Sequence, residues 1–172
     1  MNKRLALLIG FAVATILTFG GLLYYALRTT VTDVSLLAPY TQITDKSVVL
    51  QRQAVVAKNL DAFANENPYL LAETGTTLFD GMEIVDTLEA GTTLQIYAAK
   101  HFKNGTSGFT HAFVLGSVKL PGTGEAVLFE YAWGEQHISL YGEEGEYWTY
   151  PIALWQKNAN AGKFYMKKTG LQ

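Results

Sequence analysis

The chain has 172 residues, 49% of them apolar and only 16% charged, with 13 basic against 15 acidic side chains and no cysteine. That length suits one domain of ordinary size. The lack of cysteine excludes disulfides, thiolate metal sites, cysteine nucleophiles and a lipid carried on a lipobox cysteine. The charge fraction is well below the ~25% usual in soluble domains, so charge must be unevenly distributed.

From Leu5 to Leu27 there are 23 residues without a charge. A hydrocarbon core of ~30 Å takes about 20 helical residues to cross, and in lipid a helix satisfies its own backbone hydrogen bonds. A cleaved signal peptide has a shorter apolar core and a small-x-small site; this run is longer, and Tyr24 spoils a cut after Ala26. Cleavage near Gly20 or Gly21 is the alternative. Lys3, Arg4 and the amino terminus precede the helix and Arg28 follows it, so the positive-inside rule puts the N-terminus in the cytoplasm. The expected organisation is a cytoplasmic N-terminus (1–4), a signal-anchor helix (5–27) in the inner membrane, a stalk (28–39) and an exported domain (40–172) in the periplasm. Without Lys3, Arg4 and Arg28 the exported part keeps ten basic residues against all fifteen acidic ones, a formal charge of −5. That charge argues against nucleic acid and anionic headgroups as partners.

Along the chain, Lys46 to Asn65 carries two signals. Val49, Val56, Leu60 and Phe63 fit one helix face, whereas the β-branched clusters Val48-Val49 and Val55-Val56 favour a strand over Val48 to Ala57. Beyond it the pattern is β. Tyr69 to Ala72 and Thr76 to Phe79 are short apolar runs, "TLEAGTTLQIYAAKHF" turns at Glu89-Ala90-Gly91, and "FTHAFVLGSV", "AVLFEYAW" and "YWTYPIALW" follow between glycine turns. Short runs at steady spacing predict a mainly β fold, a small antiparallel barrel or sandwich with an SH3-like barrel among the candidates. "TLEAGTTLQIYAAKHF" and the strands after it resemble SH3-like bacterial exported domains in pattern alone.

His101 and His111 flank the loop "KNGTSG". A loop over Asn104 to Gly108 makes them cross-strand neighbours able to share a metal; a two-residue turn at Asn104-Gly105 separates them. A third ligand, from His137 or Glu130, has no short spacing to the pair, so no cofactor or metal is expected. There is no G-x-S-x-G elbow, phosphate-binding glycine loop or H-E-x-x-H helix, so an enzyme is not expected.

Ten of the eighteen aromatics after the helix fall between Phe129 and Tyr165. Phe129, Tyr131 and Trp133 share one strand face and Glu130 the other. Most such rings fill a core, but Tyr and Trp also anchor partners, and acidic residues crowd the same stretch. The expected contact set is therefore Tyr131, Trp133, Tyr141, Glu143, Glu144, Glu146, Tyr147 and Trp148. The expected function is that of a membrane-anchored domain binding another, basic protein, either as an immunity protein against a toxin or as an accessory subunit of an envelope complex. A cell-wall or polysaccharide binding module is the alternative, and a hydrolase or metal enzyme the weaker third.

Overall fold

The computed structural model describes residues 3–60, 64–138, 145–158 and 162–165. The chain divides into two units, one of residues 1–30 with 103–109 and the other of residues 31–102 with 110–172.

In the first unit, helix α1 (Lys3–Leu27) contains no proline and no charge after Arg4. Its stretch Ile9–Leu27 is exposed throughout and is long and apolar enough to cross a membrane, a measure that a signal sequence also meets. The helix closes where the Arg28 N–H donates to the Tyr24 carbonyl at 3.1 Å. The same unit holds the tip of a β-hairpin. Asn104 N–H donates to the Phe109 carbonyl at 2.9 Å, and Gly108 N–H to the Asn104 carbonyl at 2.8 Å. Gly108 has φ +72°, the left-handed geometry of a bulged turn that glycine takes without strain. The Asn104 side chain accepts from the N–H groups of Thr106 and Ser107 at 2.8 and 2.9 Å, so the loop, not a two-residue Asn-Gly turn, closes the hairpin.

The second unit is an eight-stranded sheet with the order β1-β6-β7-β8-β4-β3-β5 and with β2 also on β6. The strands are β1 (Thr30–Asp33), β2 (Lys46–Val49), β3 (Ala54–Lys58), β4 (Tyr69–Glu73), β5 (Glu83–Leu88), β6 (Thr93–Lys103), β7 (Thr110–Lys119) and β8 (Ala126–Ala132). A smaller antiparallel pair, β9 (Glu135–Ile138) and β10 (Glu146–Thr149), forms a second sheet that packs against the first through Trp148. The protein is thus mainly β, as its sequence indicates. The sheet does not close into a barrel and is sandwich-like. β2 pairs with β6, whereas β3, after the four residues Leu50–Gln53, pairs with β4 and β5, so the chain breaks there and changes partners. That break interrupts the strand expected over Val48 to Ala57; of the helical reading, only the Ala64 N–H to Leu60 carbonyl bond is present among the described residues. Residues 76–79 form no strand, and β5, which carries no apolar alternation, forms instead. Within the segment expected as a stalk, β1 joins the sheet and Val34 is buried.

The core lies between the layers and joins Leu50, Val56, Leu71, Leu94, Ile96, Val114 and Phe129 to the aromatic group Tyr40, Trp133, Trp148 and Tyr150. Two devices fix its edges. The Arg52 guanidinium donates to the Ile152 and Ala153 carbonyls at 2.9 and 3.0 Å and pairs with Glu73 at 3.0 Å, tying the C-terminal segment to the start of β3. β4 runs parallel to β8, and the loop before it is held by Glu130. This carboxylate is fully buried (0% exposed) and accepts the backbone N–H groups of Asn65, Glu66 and Asn67 together with the Asn65 amide.

Gly116 marks the tightest point of the sheet: a Cβ there would lie 2.5 Å from Cζ of Phe129 and 2.7 Å from the Gln95 carbonyl oxygen. Overpacking of this kind costs about 1–3 kcal/mol. Gly116→Ala is expected to lower the denaturant midpoint correspondingly; an unchanged midpoint would show that Phe129 swings aside freely.

Candidate functional site

Strand β10 has two faces, and each carries a histidine stacked on an aromatic ring. Successive residues of a strand point to opposite sides, so Trp148 turns inward and Tyr147 outward. The inner indole stacks on His101 with ring centres 4.2 Å apart and 27° between planes. The outer phenol stacks on His137 at 4.8 Å and 10°; the two are cross-strand partners.

The inner site is closed. Trp133 and Trp148 are each 1% exposed and His101 8%. Tyr40, on a 3-10 turn at Tyr40–Gln42, sits edge-on to Trp133 at 5.6 Å, Tyr150 at 5.4 Å and His101 at 6.1 Å. Its hydroxyl donates to the Trp133 carbonyl at 3.2 Å and lies 3.4 Å from Nε2 of His101. The Trp133 indole N–H donates to the Pro151 carbonyl at 2.8 Å. Burial raises the Tyr40 phenol far above its ordinary range and pushes Tyr131 and Tyr150 up to about 12. Burial also drives His101 down to about 4, opposed only by the negative charge of Glu146. Loss of hydration disfavours every charged form here, so these groups are held neutral at neutral pH.

The outer site is open. Tyr147 is half-buried, with the Lys163 ammonium 4.6 Å above its ring and Tyr165 5.9 Å away. His137 Nε2 and the Thr149 hydroxyl are 2.8 Å apart, and Tyr165 is 57% exposed. The Gln136 amide and Glu146, 2.7 Å apart, lie on the other face with Trp148. The outer face therefore offers Tyr165 and the edges of the stacked His137 and Tyr147 rings beside the Lys163 ammonium.

The structure sorts the sequence-derived contact set accordingly. Tyr147 lies on the outer site, whereas Glu146 is exposed on the side of β10 that Trp148 occupies; Tyr131 is half-buried, edge-on to Trp155 at 5.2 Å. Trp133 and Trp148 are enclosed in the core, each 1% exposed, Trp148 because the alternation of β10 points it inward. Tyr141, Glu143 and Glu144 lie outside the described residues. Lys163 and Tyr165 join the site through the bridge between Phe164 and Trp148, a long-range pairing with no local signal. His101 is buried whereas His111 is exposed. The bulged turn pairs Asn104 with Phe109, which puts residues 101 and 111 on opposite faces, so the two rings share no metal. Glu130 is saturated by N–H donors and does not complete such a site. Among the described residues, no group of three or more His, Asp or Glu side chains is placed to hold a metal.

Comparison with known families, curated proteins and solved structures finds no match to this chain.

The depressed His101 value makes stability depend on pH. The unfolded imidazole, near 6.5, binds a proton that the folded one refuses until about 4. Stability attributable to this group is complete above pH 6.5 and is lost as pH falls toward 4, by about 3 kcal/mol in all. His101→Gln is expected to flatten that part of a stability-against-pH curve; an equally steep curve in the variant would place the acid sensitivity elsewhere.

Proposed function

We propose that the chain is a single-pass membrane protein, N-terminus in the cytoplasm, whose β domain is exported and engages another protein through the outer face of β9–β10. The observation that carries this reading is the outer stack of half-buried His137 and Tyr147 with Lys163 and exposed Tyr165, an aromatic group on a strand pair whose other face packs Trp148 into the core. Aromatic rings preordered by stacking bring large contact area at little entropic loss. The exposed carboxylate of Glu135, paired across from Thr149 on the same face, would speed encounter with a basic partner. Anchoring is supported by α1, whose stretch Ile9–Leu27 is exposed and apolar, and orientation by Lys3 and Arg4 ahead of it. An anchored inhibitor that neutralises an incoming toxin and an accessory subunit of an envelope complex both fit this arrangement. A sugar-binding platform fits less well, because His137 and Lys163 already occupy the Tyr147 ring that a sugar would stack on.

Full-length chain extracted in mild detergent from its native membrane should retain a protein partner. The double variant Tyr147→Ala with Tyr165→Ala should lose that partner while keeping its melting temperature within a few degrees, since surface truncations usually change stability little. A partner held equally well by the variant, or a wild-type chain that holds none, contradicts the reading.

A further inference from the structure

At the end of α1 the hairpin tip of β6–β7 rests on the helix. Gly105 lies so close that a Cβ would stand 2.5 Å from the Leu27 carbonyl carbon and oxygen and 2.6 Å from the Arg28 carbonyl oxygen. Between tip and helix is a cavity of about 400 Å³, lined by Tyr25, Arg28, Thr30, Lys103, Asn104 and Gly105 among others, a volume typical of small-molecule sites. Its two cationic groups have no acidic partner among the described residues, where the ion pairs are Arg52 with Glu73 and Lys100 with Glu66. The Arg28 guanidinium lies 4.2 Å over the Tyr25 ring, which holds it at the cavity mouth. Around the cavity stand exposed aromatics: Tyr24 and Tyr25 on the last helical turn and, at 63% exposure, Phe109 at the hairpin tip. Rings of this kind settle at the headgroup level of a bilayer.

We infer that this cavity binds the phosphate of an anionic membrane phospholipid, with Arg28 and Lys103 as its charged contacts, Thr30 as a hydroxyl donor, and Phe109 inserted beside the headgroup. The inference rests on α1 spanning the membrane. It is specific to this corner: the residues after Arg28 carry a net −5, so two unopposed cations next to a membrane-spanning helix are against the trend of the domain, and the negative charge that sequence totals assign to the whole does not apply here. Guanidinium and ammonium groups bind phosphate oxygens by charge-assisted hydrogen bonds. A lipid source, rather than a soluble phosphate, follows from the aromatic collar and from the last turn of α1, along which the acyl chains would run.

The test is native mass spectrometry of the full-length chain released from detergent micelles holding equal amounts of phosphatidylglycerol and phosphatidylcholine. The expected result is one retained phosphatidylglycerol in preference to phosphatidylcholine. Arg28→Gln and Lys103→Gln should each weaken retention about fivefold, the worth of one basic side chain at an anionic surface. Lys119→Gln should leave it unchanged. Gly105→Val, which forces the tip off the helix with both charges intact, should also lose the lipid. Equal retention of both lipids, or insensitivity to Arg28 and Lys103, overturns the inference, and so does displacement by inorganic phosphate, which would make the occupant a soluble anion. A chain found in the supernatant of cells broken without detergent overturns the membrane reading itself; a chain that stays in the membrane but selects no lipid overturns only the site.

Discussion

A buried carboxylate without a cation holds this fold in register. Glu130 sits on β8 with no solvent contact, and its partners are the three successive N–H groups of residues 65–67 and one side-chain amide. A run of backbone donors converging on one anion is a concave site of the kind that usually takes a free phosphate or carboxylate; here the protein supplies its own. The arrangement turns the chain so that β4 can lie parallel to β8, a pairing that no short hairpin can make. Asn67 extends it: its amide reaches the Phe129 carbonyl at 2.8 Å and the Tyr97 hydroxyl at 2.7 Å. Lys100 closes it from outside through Glu66. In a chain without disulfides such a polar pin ties a non-local loop to the central sheet, where leaving any of its donors unpaired would cost about 1–3 kcal/mol each.

From that register the two faces of the β9–β10 pair follow. The Trp133 amide donates to the Ala112 carbonyl at 3.0 Å as the chain leaves β8, which sets where β9 starts. Trp148 then meets His101, and Tyr147 meets His137. The inward rings are satisfied by stacking and by the Tyr40 hydroxyl; the outward rings are not enclosed, and they are the surface assigned to a partner. On the proposed function, stability and recognition divide along a single strand.

The features that sequence made legible are those written locally. The uncharged run at Leu5–Leu27 is α1, the alternation of Leu94, Ile96 and Ala98 is β6, and glycine at 108 and 124 marks the two bulged hairpin turns, each at positive φ. What was not legible depends on distant partners. β5 (EIVDTL) lacks apolar alternation because it is an edge strand with little burial. Glu130 looks like a solvated acid on the far side of a strand until residues 65–67 fold over it. Trp133 and Trp148 look like anchors because composition cannot say which face of a hairpin meets the core. Tyr147 was found in the sequence, whereas Lys163 and Tyr165 reach it only through a bridge across the fold. The His101–His111 question turned on a one-residue bulge, and a slip of one residue exchanges faces.

Hydrogen exchange of the full-length chain tests the dependence on Glu130 most directly. In the wild type the amides of Asn65, Glu66 and Asn67 should exchange as slowly as those of β7 and β8, and in Glu130→Gln they should become fast while β7 retains its protection. Rapid exchange of these three amides in the unaltered protein, at the rate of an ordinary solvated loop, would contradict the account.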